Sequence, residues 1–471
     1  MVNGRRESIS DRTGKTVSAL VAVVVVAACG LLATVPELRL AVPLLVGTTA
    51  VMVMVLAFLL YRGERGTLAW PPVMILGIAL LLRLMFVFSP PQLSDDLYRY
   101  LWDGGNLLRG INPYAAAPAV VRPPPELAAT HALVNHPQYV TIYPPAAQVV
   151  FAAGAACGGS LLGIKSLLVT LDLGLCALMM VLLRRLDLPV WRSALYAWNP
   201  LPVLEIAGSG HIDGAGLTMA MGAFCLIFGN RDRASGSRWR PLLAGALLAA
   251  AGLVKLFPFL LAPIAFMLLA KRERALFAAG FGTALAALVL SFMPHLANGL
   301  ATLEVYARNW EFAGFGFNLL RRTTGSGTTA RLLLSGCLLL IGVALYGRLL
   351  RILQRERDAI TARRRAIETC YGIALALLLL TPTLQPWYAL CLAAFLPFCA
   401  GPAGLVLCWT VFLTYQVQIP YFILGEWIEN PVVTAAVFAA PVTAGVLGRM
   451  IGGAGGISAG RMKAGCVSPP S

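Results

Sequence analysis

Asp95 and Asp96 are adjacent carboxylates in the stretch Ser94-Asp95-Asp96-Leu97-Tyr98-Arg99-Tyr100-Leu101-Trp102-Asp103-Gly104, just after a long apolar run that ends near Phe88. Neighbouring carboxylates repel each other, which raises one pKa and allows one group to serve as a base. Arg99 supplies a cation beside them, and Tyr98, Tyr100 and Trp102 supply aromatic faces. That mixture suits a site handling a sugar and a phosphate where a membrane helix meets water. The simpler reading is that the aspartates cap the helix that follows, since Asp favours helix N-termini. One Asp would suffice for a cap, and it would need neither Arg nor aromatic neighbours.

Other polar groups stand out against the apolar background: Tyr143-Pro144-Pro145, Gly208-Ser209-Gly210-His211-Ile212-Asp213, Lys255, Arg308 with Trp310, and Gln385-Pro386-Trp387-Tyr388. Lys255 divides a long apolar run into two short helices, so its ammonium is expected at the outer interface. Arg83 lies about two turns inside an apolar run. An Arg so placed faces a protein interior or a polar cavity. Glu205 precedes His211 by about two turns and is expected to line the same cavity, while Asp172 is expected to pair with a neighbour. Each has a plainer alternative. His211 and Asp213 could form a polar turn, Lys255 could snorkel, and Pro386-Trp387-Tyr388 could belong to an interfacial aromatic belt. The four histidines, His131 and His136 among them, lack metal-ligand spacing, so no metal site is expected.

The elements that must position these groups are membrane helices. Of 471 residues, 58% are hydrophobic and only 12% are charged, where a soluble domain carries roughly 25% charged residues. Apolar runs near the ~20 residues that cross a bilayer recur along the whole chain. The fold class is therefore an all-α polytopic membrane protein, with no soluble domain of ordinary size. A net charge of +16 could suggest nucleic acid, but the charge sits in short loops between the apolar runs, so no nucleic-acid partner is expected. Most of the ten cysteines fall inside apolar runs and none forms a CxxC pair, which marks them as packing residues. The first apolar run, about 17–35, is longer than a signal-peptide core and lacks a convincing cleavage site, so it is kept as a span.

Most of the 37 Lys and Arg collect in alternate loops, which sets the orientation. Spans are expected at about 17–35, 41–60, 71–89, 162–182, 193–208, 214–229, 240–254, 256–270, 275–294, 330–347, 367–385, 388–401, 404–422 and 431–448. Residues 90–142 form a first outer loop, 143–158 an interfacial or re-entrant helix, and 295–329 a second outer loop. This places a transmembrane domain at 17–448, made of about fourteen helices, between cytoplasmic tails at 1–16 and 449–471. The Gly-rich end of the second tail is expected to be disordered.

The double-aspartate stretch, followed by Gly110-Ile111-Asn112-Pro113-Tyr114, closely resembles the first-loop signature of the GT-C glycosyltransferases that use polyprenyl-phosphate sugars. Within these it is most similar to the polyprenol-phosphomannose-dependent mannosyltransferases of bacteria. Tyr143-Pro144-Pro145, Gly210-His211-Ile212-Asp213 and Lys255-Leu256-Phe257-Pro258 match in the same order, and Pro386-Trp387-Tyr388 is also similar. The resemblance covers about 90–390. The first motif is specific; the others are short and gain weight from their order and common face.

The resemblance implies a helical bundle with a lipid-accessible cavity, a first-loop carboxylate as base, and an inverting transfer with neither nucleotide sugar, cofactor nor metal. Its base falls on Asp95 in first preference and Asp96 in second. Donor phosphate partners are then Arg99, Lys255, Arg83 and Arg308. Substrate-binding groups are Tyr98, Tyr100, Trp102, Tyr143, His211, Asp213 and Trp387. The partners are a polyprenyl-phosphate sugar, a glycan or glycolipid acceptor, and membrane lipid, at the periplasmic face of a bacterial inner membrane. Two rivals come from other classes. A secondary transporter or flippase predicts repeat symmetry and ionisable groups near mid-membrane, whereas no repeat is evident and the polar clusters gather at one interface. An envelope scaffold would have no need of the double carboxylate.

Overall fold

The computed structural model describes residues 2–65, 70–229 and 238–454. The Gly-rich tail from 455 onward, expected to be disordered, and residues 230–237 lie outside the described residues. Among the described residues two isolated bridges link Phe312 and Ala313 to Thr383, and the regular structure is otherwise helical. The all-α polytopic membrane class holds.

Seven of the described helices have the length and apolarity to cross a bilayer: Thr16–Ala33, Val42–Glu64, Leu161–Arg185, Lys271–Leu290, Gly327–Arg355, Pro402–Leu424 and Pro431–Gly448. An eighth unit is the pair Pro200–Gly208 and Asp213–Ile227, bent by 118° at the break between them. Four further apolar helices, Pro72–Val87, Pro145–Ala156, Trp239–Val254 and Phe257–Met267, are shorter. About fourteen crossings are expected from hydropathy, so several of the expected spans are short or broken pieces. Proline is the reason. Pro189, Pro200 and Pro202 divide 190–208 into short turns, and Pro386 and Pro397 do the same to 386–399. Proline removes a backbone donor and clashes with the preceding turn, and a hydropathy profile carries no record of that.

Both expected cytoplasmic tails are partly helical. The first helix begins at Val2 and continues into the first span, and the last runs from Pro431 to Ala454. The helix expected at the interface is present as Pro145–Ala156. It starts on Pro145, where the missing N–H costs nothing. It is largely buried and packs against the Asp96–Leu108 and Leu161–Arg185 helices.

Two glycines allow the site to close up. A Cβ on Gly104 would lie 2.3 Å from the Phe151 carbonyl oxygen, so only glycine lets the Asp96–Leu108 helix lie backbone to backbone on Pro145–Ala156. Gly210 has φ +79° and abuts Leu97, at the turn where the bent pair breaks. Tyr100 is stacked on Phe151 across the first contact at 4.2 Å, a pairing worth about 0.5–1.5 kcal/mol beyond burial. Far along the chain, the Phe312 carbonyl accepts from Leu384 N–H at 2.7 Å, and the Thr383 hydroxyl donates to the Trp310 carbonyl at 2.8 Å. These bonds tie the segment after the Leu296–Asn309 helix to the one carrying Gln385, Trp387 and Tyr388.

Candidate active site

Asp95 occupies the N-cap position of the Asp96–Leu108 helix, yet its side chain makes no capping hydrogen bond. Its carboxylate meets Arg39 at 2.7 Å instead and is 43% exposed. Capping therefore does not account for this residue. Asp96 is more enclosed, 19% exposed. Its Oδ1 accepts from the Asn135 amide at 2.8 Å and its Oδ2 from the Tyr143 hydroxyl at 3.1 Å. Burial, and then the Asp96 charge, push the Tyr143 phenol well up, so it keeps its proton and remains a donor.

Both carboxylates line a cavity of about 610 Å³. Arg99, Tyr143, Lys255 and Trp387 from the sequence reading line it too. They arrive from the stretch between the Pro72–Val87 and Pro145–Ala156 helices, the break after the Trp239–Val254 helix, and the turn after the Ala359–Leu380 helix. Lys255 has extended backbone at that break, as the interruption of the apolar run predicts. Its ammonium lies 3.3 Å from the Asp213 carboxylate and 5.2 Å from the Tyr388 ring centroid. Lys255 is thus held by a carboxylate and faces the cavity, which goes beyond snorkelling.

His211 lies directly behind this wall and is fully buried. It is stacked on Trp387 at 3.9 Å. Its Nδ1 is 3.8 Å from Asp96 and its Nε2 is 3.5 Å from Glu205, and neither nitrogen makes a hydrogen bond. Glu205 sits in a π-helical turn, Val203–Gly208, a form frequent at functional sites. Contrary to the sequence expectation, its carboxylate does not line the cavity; it accepts from the Tyr415 hydroxyl at 2.9 Å, and Tyr415 lines the cavity. Irregular backbone of this kind persists at membrane depth only where protein or a cavity satisfies it.

Five sequence expectations fall elsewhere. Arg83 does not reach the cavity: its Nε bonds Asp172 at 2.6 Å and Nη1 bonds the Ala79 and Ala197 carbonyls, all of them buried. That is also the neighbour expected for Asp172. Arg308 is 74% exposed and pairs with Glu304 one helical turn away, outside the cavity lining. Trp102 faces the opposite way, against His131, in a small cluster with Leu127 and Val134. Tyr100 is buried between Phe151 and Tyr143 and supports the cavity wall from behind. Tyr98 lines a neighbouring hollow instead of this cavity. The physical cause is shared by the last three: successive residues of the Asp96–Leu108 helix point about 100° apart, so one face alone can meet the cavity.

Arg99 is at the cavity edge but is already engaged. It donates to Asp103 at 3.1 Å and to the Tyr139 carbonyl at 3.0 Å. Burial pushes the Asp103 carboxyl up, and Arg99 pulls it back down.

Several lining residues were not singled out from sequence. Arg39 is one; its signal is a cation in an outer loop on the face where Lys and Arg are scarce. Asn135 is another, in a loop with no motif around it. Tyr306 is a third, sharing a 2.6 Å hydroxyl contact with Tyr388, and Tyr421 and Trp427 enter from the last part of the chain. No signal short of the fold would find these.

No curated protein and no solved structure matches the chain. Residues 141–382 match the model of Glycosyltransferase family 87. That segment carries Tyr143, Glu205, His211, Asp213, Lys255 and Trp310, while Asp95 and Asp96 lie upstream of it on the same cavity. With just over half of its length in that match, and a cavity on which carboxylates meet a lysine inside a bundle of membrane helices, the chain belongs to glycosyltransferase family 87.

Proposed function

We propose that this glycosyltransferase moves a sugar, mannose, from a polyprenyl-phosphate donor to a hydroxyl of a lipid-linked or envelope glycan, with inversion. The reaction takes place at the periplasmic face of a bacterial inner membrane. One observation carries the reading: Asp96 and Lys255, far apart in sequence, line one cavity from separate elements. The pair answers the two charges of the reaction. The acceptor hydroxyl must lose a proton, and the departing phosphate must be stabilised as negative charge grows on it.

Asp96 is the base. Asn135 and Tyr143 orient its oxygens, whereas Asp95 is neutralised by Arg39. The acceptor oxygen attacks the anomeric carbon opposite the phosphate, the carbon–oxygen bond to phosphate breaks, and polyprenyl phosphate leaves with the bonding electrons. Lys255 receives it; Arg99, held by Asp103, is the second cation at the cavity edge. Tyr421 and Trp427, both half-exposed and both on the cavity lining, mark where the prenyl chain remains in lipid.

Purified protein incubated with a panel of polyprenyl-phosphate sugars and glycolipid acceptors should release polyprenyl phosphate fastest from the mannose donor. Lys255→Met should slow that release by about 10²-fold, the loss typical of one removed transition-state contact. Equal release from wild type and variant would remove Lys255 from the mechanism, and absence of release from every donor would overturn the reading.

A further inference from the structure

We propose that a second hollow, beside the cavity, is the subsite for the part of the acceptor glycan behind the reacting sugar. This rests on the transfer reading above. The hollow measures about 490 Å³, within the range of ligand pockets, and is lined by Glu37, Arg39, Gln92, Asp95, Tyr98 and Leu133 among others.

Arg39 and Asp95 line both spaces, so their ion pair forms the wall between them. That wall is built. Leu38 N–H donates to the Gln92 side-chain oxygen at 2.6 Å, and the Arg39 guanidinium donates both to the Gln92 carbonyl and to Asp95. The loop between the first two spans is thereby pinned to the segment that precedes the catalytic helix. Asp96 begins one residue beyond the wall, so a chain of sugars crossing it would present its terminal hydroxyl to Asp96.

The lining chemistry selects the ligand. Two carboxylates stand against one guanidinium that is already paired with one of them, so a second phosphate or a lipid phosphate is disfavoured. Carboxylate, guanidinium and amide groups suit the hydroxyls of a neutral glycan. The part-exposed Tyr98 ring offers a face for the apolar side of a pyranose. The sequence expectation that Tyr98 binds substrate thus finds a place, on the acceptor side and apart from the donor.

The test uses the full chain in nanodiscs, with undecaprenyl-phosphate mannose as donor and octyl α-mannoside or octyl α-mannobioside as acceptor. The wild type should prefer the mannobioside. Leu133→Trp, which fills the hollow from an exposed position, and Tyr98→Ala should each lower that preference about tenfold, equivalent to about 1.4 kcal/mol. A second readout does not depend on turnover. Leu133→Cys, made in a Cys157→Ser, Cys337→Ser, Cys399→Ser, Cys466→Ser background that removes the exposed and part-exposed cysteines and the one outside the described residues, is labelled with a maleimide. Mannobioside should slow labelling, and undecaprenyl phosphate should not. An unchanged preference in both variants, or protection by undecaprenyl phosphate in place of mannobioside, overturns the subsite. A wild type that transfers to neither acceptor but is still protected by mannobioside would overturn the transfer reading and leave the glycan site standing.

Discussion

Two sets of buried charges occupy this bundle, and they differ in what surrounds them. Arg83 is fully buried and partnered on two of its three nitrogens, Nη2 alone making no hydrogen bond. Asp172 takes the guanidinium on one oxygen and the Tyr196 hydroxyl, at 2.5 Å, on the other, and backbone carbonyls take Nη1. Around Asp96 the protein stops short. Asp96 and Lys255 are part-exposed and line open space, with the buried His211 behind them. By sequence the two look alike, each a rare charge in an apolar run. Closure tells them apart: the first set is sealed between helices, and the second borders a cavity.

That contrast makes four predictions. Asp96→Asn should cut transfer by about 10²–10⁴-fold, the usual contribution of a positioned base, with the melting temperature unchanged. Asp95→Asn should cost less, because its carboxylate is already held by Arg39. Activity lost in the second and kept in the first would reverse the assignment of the base. Arg83→Met should act in the opposite sense, destabilising the protein by about 3–5 kcal/mol because it strands a buried aspartate. Unfolding in detergent would measure this, and Arg83→Met with Asp172→Leu should recover most of the loss. A closed set that could be broken without loss of stability would end the comparison. Arg308→Gln belongs to neither set, and it should shift stability by no more than about 0.5 kcal/mol and leave transfer rates as they are.

The difference between the two sets also explains where reading the sequence succeeds. Lys255 interrupts an apolar run and breaks the helix, because a cation in such a run must find water or a partner. Asp172 was expected to find a partner, and it has Arg83. Trp102 and Tyr100 looked like Tyr143, aromatic and near the acids, but helix rotation sends them away from the cavity. Arg308 shared a motif with Trp310, yet only Trp310 reaches the lining. Arg39 was passed over because its partner is 56 positions away.

Composition and hydropathy alone determined that the chain is a helical membrane protein, and the run from Ser94 to Gly104 alone marked one edge of its cavity. These are local properties, since burial in lipid demands long apolar segments and a charge cluster stands out against them. Which spans are broken, which of two aspartates is oriented by Asn135 and Tyr143, and which arginine is locked away were decided by tertiary structure. Each depends on the angle at which one helix meets another, and that angle follows from contacts such as Gly104 on Phe151, whose two residues carry no mark in the sequence of belonging together.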